Sequence, residues 1–471
     1  MRTSSLEAQG MDSTRLGDLL EQIDDRRLPI HGLVIVRNGA IVAEAYSPPF
    51  DEQLAHDIAS CEKTVVSVLT GIAIDRGLLA GVDLHVADVL PETSASVSDP
   101  HKRVITLGNL LTMTAGLASN EWQPMDADNT WVQMQRSADR LKSVFDRPLI
   151  EPPGTAWSYD SGLPDVVGLM IERTSSLSLK EFALSFLFRP LQIDDLCWRG
   201  SPATGISITL TPREMAKLGS LFLDRGTWDG KRVISSAWVA SSTAAHVDTR
   251  VEGNRYGNFW WIPPYGGYAA WGDGGQRIIV NPERNLVVVL TAGLGYPEMD
   301  TVPDEIMTRY VLPAAESRGR LPDNPVGLAR LQALTRRLAQ PHPEAVPPLP
   351  ATAATVSGRA YTLPDNSIGL EGFAFHFAGQ RASISLRFAG RLQEIPVGLD
   401  NLYRPTRVEP AGLTYGWMAA RGRWVSRTDF TLDLLMSGLA RRFDFAFDGV
   451  RVIVTYHGSR GEDEPIFGSS E

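Results

Sequence analysis

The stretch from Ile58 to Gly81, IASCEKTVVSVLTGIAIDRGLLAG, decides how the rest of the chain is read. Val65, Val68, Leu69, Ile72 and Ala73 recur at helical spacing, and Asp75-Arg76-Gly77 supplies a polar end and a stop. A buried helix is expected. At its start Ser60 and Lys63 stand three residues apart, which brings a hydroxyl and an amine onto one helical face. A serine there has its own N–H among the unpaired donors of a helix N-terminus, where negative charge is favoured. Such a pair can attack a carbonyl and hold the oxyanion that results. A Ser three residues before a Lys is common by chance in a chain this long. The pair gains weight because a lysine on an otherwise apolar helix needs a reason to be there. Cys61 lies about 100° around the helix from the Ser60–Lys63 face, so burial is its expected role.

At 471 residues, two or three domains are expected. Hydrophobic content of 43% and charged content of 21% are those of an ordinary soluble globular protein. Net charge is −10 and no Lys/Arg run forms a basic face, which excludes a nucleic-acid binder. Arg26-Arg27, Arg336-Arg337 and Arg441-Arg442 sit in mixed-charge surroundings and read as solvated faces. The N-terminus lacks the apolar core of a secretory signal, and no uncharged apolar run is long enough to span a membrane. The two cysteines, Cys61 and Cys197, offer neither a disulfide framework nor a metal cluster. A reducing cytoplasm fits.

Outward from the Ser60 helix, STRLGDLLEQID (13–24) reads as an amphipathic helix, and GLVIVRNGAIVAEAY as two strands about an Asn38-Gly39 turn. ITLGNLLTMTAGL (105–117) begins a helix capped by Thr106. Residues 118–158 are polar, Trp-rich and poorly periodic, the mark of a functional loop or lid. Helices are expected over 162–188, 209–226 and at ISSAWVASSTA, then strands at YGNFWWIPP, YGGYAAWGDGGQRIIV and LVVVLTAG, and a closing helix. Strands at both ends with helices between predict one antiparallel sheet flanked by helices, the first hairpin joining the late strands. A charged helix (326–340) and the Pro-rich PHPEAVPPLPATAAT (341–355) read as a linker. Beyond it, short alternating runs predict a small antiparallel barrel or sandwich over 356–471, with Arg381, Arg387 and Arg391 on an outward face.

Several ordered segments over about residues 10–315 resemble the β-lactamase-fold serine hydrolases: class C β-lactamases, penicillin-binding peptidases, esterases and 6-aminohexanoate-oligomer hydrolases. SCEK (60–63) resembles the family's S-x-x-K, and PGTAWSYDSG its Tyr-x-Asn or Tyr-x-Ser segment, giving Tyr159 and Ser161. AAWGDGGQRIIVNPERNLVVVLT resembles the strand that carries K-T-G, followed by the next hairpin strand. The resemblance implies an α/β class, with a hydrolase domain over 1–325 and a helical lobe over about 70–225; composition and strand spacing give the helix and linker over 326–355 and the all-β domain over 356–471. It also implies acylation of Ser60, with Lys63 and Tyr159 as acid/base groups. A lysine base must be neutral part of the time, and burial is expected to lower its pKa to that end. Glu62, where the family prefers Thr or Ser, raises it if it points inward. Tyr256-Gly257-Asn258 is a competing Tyr-x-Asn, set aside because it lies in a β-like stretch.

In the third motif the family's Lys falls on Ala270 and its Thr on Trp271, so the oxyanion hole pairs the N–H groups of Ser60 and Asp273, or of Gly274 after a one-residue slip. Losing that Lys removes the cation that recognises a carboxylate, which favours neutral esters or linear amides. Ser161, Trp157, Trp260, Trp271 and Gly272 are the expected substrate contacts, with Trp122 and Trp131 nearby in sequence. No G-x-S-x-G elbow surrounds a serine, so His56 is not expected to serve one. No metal or cofactor motif occurs, and the expected partner is a small ester or amide, with homo-oligomerisation open. The competing readings are a β-lactamase or D-Ala-D-Ala-type peptidase on the same fold, which the missing Lys disfavours, and a decayed scaffold with a binding or regulatory role.

Overall fold

The computed structural model describes residues 1–95, 100–123, 128–194, 196–251, 253–388, 390–408, 416–457 and 463–470. Its nine-stranded sheet runs in the order Arg2–Thr3, Ala40–Tyr46, Ile30–Arg37, Leu286–Ala292, Gln276–Asn281, Tyr268–Gly272, Trp261–Ile262, Arg255–Tyr256, Val247–Asp248. The early hairpin therefore joins the late strands, as its sequence predicts. Asn38 and Gly39 both take positive φ (50° and 71°), the type I′ turn whose twist matches the flanking strands. At one edge Arg2–Thr3 pairs with Ala40–Ile41 in parallel, while the strands from Val247–Asp248 to Gln276–Asn281 pair antiparallel.

The compact units do not follow chain order. One comprises residues 1–9, 34–43 and 58–289. Within it the helix Glu62–Asp75 is buried from Lys63 to Ala73. Each fully buried Val, Leu or Ile contributes roughly 1.5–3 kcal/mol, more than enough to override the weak helix propensity of its β-branched residues. Gly71 is required by close packing: a Cβ there would sit 2.2 Å from the Trp238 ring, whose Nε1–H donates to the Ser67 carbonyl at 3.1 Å. The helix Pro212–Leu223 opens with a Thr211/Glu214 capping box, and its Gly219 packs against Val287 and Ile278 of the sheet. The short helices Leu107–Leu111, Thr130–Arg136 and Arg140–Phe145 and the longer Leu163–Ser175 build the helical part. Arg140 donates from Nε and Nη2 to Asp165 Oδ2 at 2.9 and 2.7 Å, both side chains buried. The buried Lys102 ammonium caps the end of Arg140–Phe145 by donating to the carbonyls of Phe145 (2.6 Å) and Arg147 (2.7 Å).

The second unit comprises residues 10–33, 44–57 and 290–471. The helix Ser13–Asp25, capped by Asp12, lies along the charged helix Pro325–Leu338. Arg330 bridges Asp18 (2.6 Å) and Glu21 (2.7 Å) across that seam. From Ala360 onward ten antiparallel strands follow one another, and a parallel pairing of Val397-Gly398 with Ala420-Arg421 closes them into a barrel. Its interior is apolar, with Phe373, Phe375, Phe430, Phe443, Phe445 and Phe447 packed against Ile384, Leu386, Met418 and Val454. Within the same unit, Trp417 Nε1–H donates to the Ala55 carbonyl at 2.6 Å, and the Asp57 N–H to the Ser437 carbonyl at 2.6 Å.

Candidate active site

Ser60 sits in the single 3-10 turn Ala59–Cys61 that opens the helix Glu62–Asp75. Ala59 just before it takes φ 46°, a left-handed conformation that costs a residue with a Cβ roughly 1–2 kcal/mol. The turn is wedged from the other side. A Cβ on Gly272 would lie 2.5 Å from the Ile58 carbonyl and 3.1 Å from the Ala59 Cβ, so the end of the strand Tyr268–Gly272 runs against the backbone that leads into Ser60. Cys61 points away and is fully buried, its Sγ 3.7 Å from the Gln276 carbonyl, as expected from its place on the helix.

Lys63 is buried, and its Nζ–H donates to Ser60 Oγ at 3.0 Å. The same ammonium lies 5.3 Å from the centre of the Tyr159 ring and 4.0 Å from Glu62 Oε1. Burial acts to lower the Lys63 pKa. The opposing pull of Tyr159, Glu62 and Glu121, with a hydrogen bond to Tyr159, is larger, and the net direction is upward. The expectation that burial leaves this amine neutral part of the time is thus corrected: three oxygen-bearing neighbours hold it as an ammonium. Two of them, Tyr159 and Glu62, were visible in the sequence.

Glu121 was not. It lies in the irregular 118–158 stretch, is 5% exposed, and accepts twice from Ser161: Oε1 from the N–H at 2.7 Å and Oε2 from the Oγ–H at 2.7 Å. Desolvation and the nearby Asp160 push its pKa up to about 7, against the pull of the Ser161 bonds and Lys63. The whole turn Tyr159-Asp160-Ser161 is tethered in this way. The Tyr159 carbonyl accepts from Ser119 Oγ (2.7 Å), and Asp160 pairs with Arg147 (2.7 Å) and accepts from the Gly162 N–H (2.9 Å). Ser119 and Asn120 are in turn bonded to Thr130 at the start of the helix Thr130–Arg136. Where it is described, the segment expected to be a loop or lid is a hydrogen-bonded platform under Tyr159; residues 124–127 of it lie outside the described residues.

Aromatic rings line the same region. Trp261 stacks on Trp271 with centroids 4.3 Å apart and planes 13° apart, and it also meets Tyr159 (6.4 Å), Trp157 (5.6 Å) and Tyr256 (5.1 Å). Trp122, half exposed, faces both Trp157 (6.5 Å) and Tyr159 (5.7 Å). Trp260, expected among the substrate contacts, turns into the core between Phe222 (4.6 Å) and Tyr268 (5.1 Å). Trp261 is also buried, at 4% exposure, but it is the one that stacks on Trp271 beside Tyr159. Tyr256, the rejected alternative tyrosine, is fully buried, with a pKa pushed well up by burial and then by Tyr159.

Ala270, at the position of the family's lysine, is 1% exposed, and Trp271 pairs across the strands with Arg277. The Arg277 guanidinium lies 4.6 Å from the centre of the Trp271 ring and donates to the carbonyls of Gln276 (3.0 Å) and Gly272 (3.3 Å). A cation is therefore present at the third motif, but at 1% exposure it braces the Gly272 turn and the tryptophan instead of facing solvent. His56, four residues before Ser60, has both ring nitrogens engaged, Nδ1 with the Asp57 carbonyl (2.7 Å) and Nε2 with His31 Nδ1 (2.9 Å). Among the described residues no cluster of His, Cys, Asp and Glu is arranged to hold a metal ion.

Several known proteins are similar to this chain. The 6-aminohexanoate-dimer hydrolase of Paenarthrobacter ureafaciens is 25% identical over 312 residues, 61% of this chain and 78% of that protein. The lovastatin esterase of Penicillium rubens is 28% identical over 187 residues, 36% of this chain and 46% of the esterase. Among solved structures, the octameric penicillin-binding protein homologue of Pyrococcus abyssi shares the fold over 98% of this chain and all of its own, at 16% identity and a TM-score of 0.51. The beta-lactamase family model matches residues 5–311, nearly two thirds of the sequence, so the chain belongs to the beta-lactamase family.

Proposed function

We propose that the protein is a serine hydrolase that cleaves small carboxylic esters or linear amides through an acyl-Ser60 intermediate. The observation that carries this is the 3.0 Å contact between Lys63 Nζ and Ser60 Oγ on a buried helix start, with Tyr159 against the same ammonium. The names of two relatives, a hydrolase of an amide dimer and an esterase, support the reaction class.

Because Lys63 is held charged, it works as a relay and not as a standing base. The cycle starts from Tyr159 as the phenolate partner of that ammonium: Lys63 hands a proton to the phenolate oxygen as it takes the one on Ser60 Oγ, so Tyr159 is the net acceptor. Ser60 Oγ then bonds to the substrate carbonyl carbon and the carbonyl oxygen takes the negative charge. The N–H groups of Ser60 and Asp273 are the proposed donors to that oxygen; the seating of Gly272 against Ile58 and Ala59 favours a donor from this turn. Tyr159 returns its proton to the departing alcohol or amine. Water repeats the cycle on the acyl group and frees Ser60.

The wall opposite is uncharged. With Ala270 buried and Arg277 sealed behind Trp271, no accessible cation stands at the third motif among the described residues, which supports neutral substrates over β-lactams or peptides ending in a carboxylate. Trp122 and the partly exposed Trp271, backed by the buried Trp157 and Trp261, suit an apolar acyl or alcohol group. The test compares p-nitrophenyl esters, short amide oligomers and nitrocefin. Turnover of the first two with little or none of nitrocefin is the expected result; a nitrocefin rate that exceeds both contradicts the assignment.

A further inference from the structure

We propose that Glu121 sets the hydrogen-bonding sense of Ser161, and through it the preference of the site for substrates that present an N–H, that is secondary amides, over the matching esters. This rests on the hydrolase reading and refines its substrate class. Ser161 is two residues beyond Tyr159 and partly exposed, at the place where the family resemblance puts a substrate-holding side chain. As a carboxylate, Glu121 only accepts hydrogen bonds, so it fixes the Ser161 hydroxyl proton on Oε2 (2.7 Å) while Oε1 holds the Ser161 N–H (2.7 Å). With its proton turned inward, the Ser161 oxygen offers only lone pairs to the cleft. An amide N–H satisfies them; an ester, which has no donor, does not. If Glu121 gains a proton, the carboxylic acid donates to Ser161 Oγ instead. The serine proton then swings outward, and the preference for a donor is lost.

The groups facing Glu121 are Ser161 and Asp160 from the turn, with Arg147 paired to Asp160, and Lys63 from the Ser60 helix. Burial and Asp160 bring its titration to about 7, within the range a rate profile can follow. Glu121→Gln is informative because it keeps both contacts. The amide oxygen accepts from the Ser161 N–H while the amide NH2 donates to Oγ, so this variant imitates the protonated acid at every pH.

The experiment measures kcat/KM for an anilide and a phenyl ester of the same acyl group in the wild type, E121Q and S161A, from pH 5.5 to 8.5. S161A keeps Glu121 near Lys63 and Tyr159, so a pH-dependent amide-to-ester ratio that arises from the relay persists in this variant, whereas one that arises from Ser161 is lost. We expect the wild-type ratio to rise with pH through about 7. In E121Q and S161A it should be flat and lower by about 3- to 10-fold, the worth of one neutral hydrogen bond. A wild-type ratio unmoved by pH, or one that E121Q or S161A retains, overturns the inference even if a variant folds poorly, since the wild-type arm stands alone. Labelling of Ser60 by a fluorophosphonate separates the two levels. A labelled, active enzyme with an insensitive ratio defeats this inference alone; a folded wild type that neither labels nor turns over either substrate defeats the hydrolase reading and this inference with it.

Discussion

Lys63 is the residue on which the chemistry turns, because it is both buried and surrounded by oxygen atoms. Loss of its partner should be severe: Ser60→Ala is expected to lower kcat by about 10⁴- to 10⁶-fold, as loss of a serine nucleophile does elsewhere. Glu62 is the instructive neighbour. At 4.0 Å it helps hold the ammonium charged, so Glu62→Gln should lower the Lys63 pKa and move the alkaline limb of the rate profile to lower pH. An unchanged alkaline limb in that variant would mean that Glu62 does not act on the relay. Glu121 has a further consequence for stability. Its pKa in the folded state is raised above the ordinary carboxylate value, so the folded protein binds the extra proton and stability falls as pH rises from about 4.5 to about 7. Glu121→Gln should therefore melt higher than the wild type above pH 7 and lose that advantage below pH 5, as thermal melts across the range would report.

At the scale of elements, the buried pair between Arg140 and Asp165 ties the helix Arg140–Phe145 to Leu163–Ser175. Desolvation outweighs the attraction of Arg140, and the Asp165 pKa is pushed up to about 6. The pair is thus a poor source of stability, yet breaking it is costly. Asp165→Ala, which strands a buried guanidinium, should destabilise by about 3–5 kcal/mol in denaturant titration, and an Arg140→Met/Asp165→Leu double variant should recover most of that. Local signals were legible at this scale. The Asn38-Gly39 turn, the Thr106 and Thr211 caps, the i, i+3 meeting of Ser60 and Lys63 and the alternating barrel strands all follow from spacing or from side-chain chemistry within a few residues. Glu121, Trp261 and Arg277 did not stand out. Glu121 meets Ser161 from forty residues away, Arg277 reaches Trp271 only through strand register, and Trp261 reaches the Trp271 and Tyr159 rings only through tertiary packing. The sign of the Lys63 shift was missed for the same reason, since its decisive neighbours come from three separate segments.

For the whole molecule, the C-terminal barrel is more than an appendage in sequence. Trp417 and Ser437 bond the backbone of Ala55 and Asp57, and Gly438 approaches the His56 ring so closely that a Cβ would lie 2.3 Å from it. Deleting residues 345–471 would strip those partners from the segment that enters the Ser60 turn. Activity should fall at least tenfold in such a truncation; full activity would show that the Ser60 turn needs no support from the barrel. The His31–His56 pair beneath this segment adds a pH term. Burial holds His56 down to about 4 and His31 well below its ordinary value, so the unfolded chain binds protons that the folded one does not. That contribution is complete above about pH 6.5 and is lost as pH falls towards 4. Relative to His31→Gln, the wild type should lose melting temperature over that interval.

Peptide mapping by mass spectrometry after reaction with a fluorophosphonate locates the nucleophile. A single adduct on the Ser60 oxygen is expected, absent in Ser60→Ala and formed far more slowly in Lys63→Ala. A folded wild-type protein that takes up no label, or one whose label survives the Ser60→Ala substitution, would contradict the assignment to Ser60.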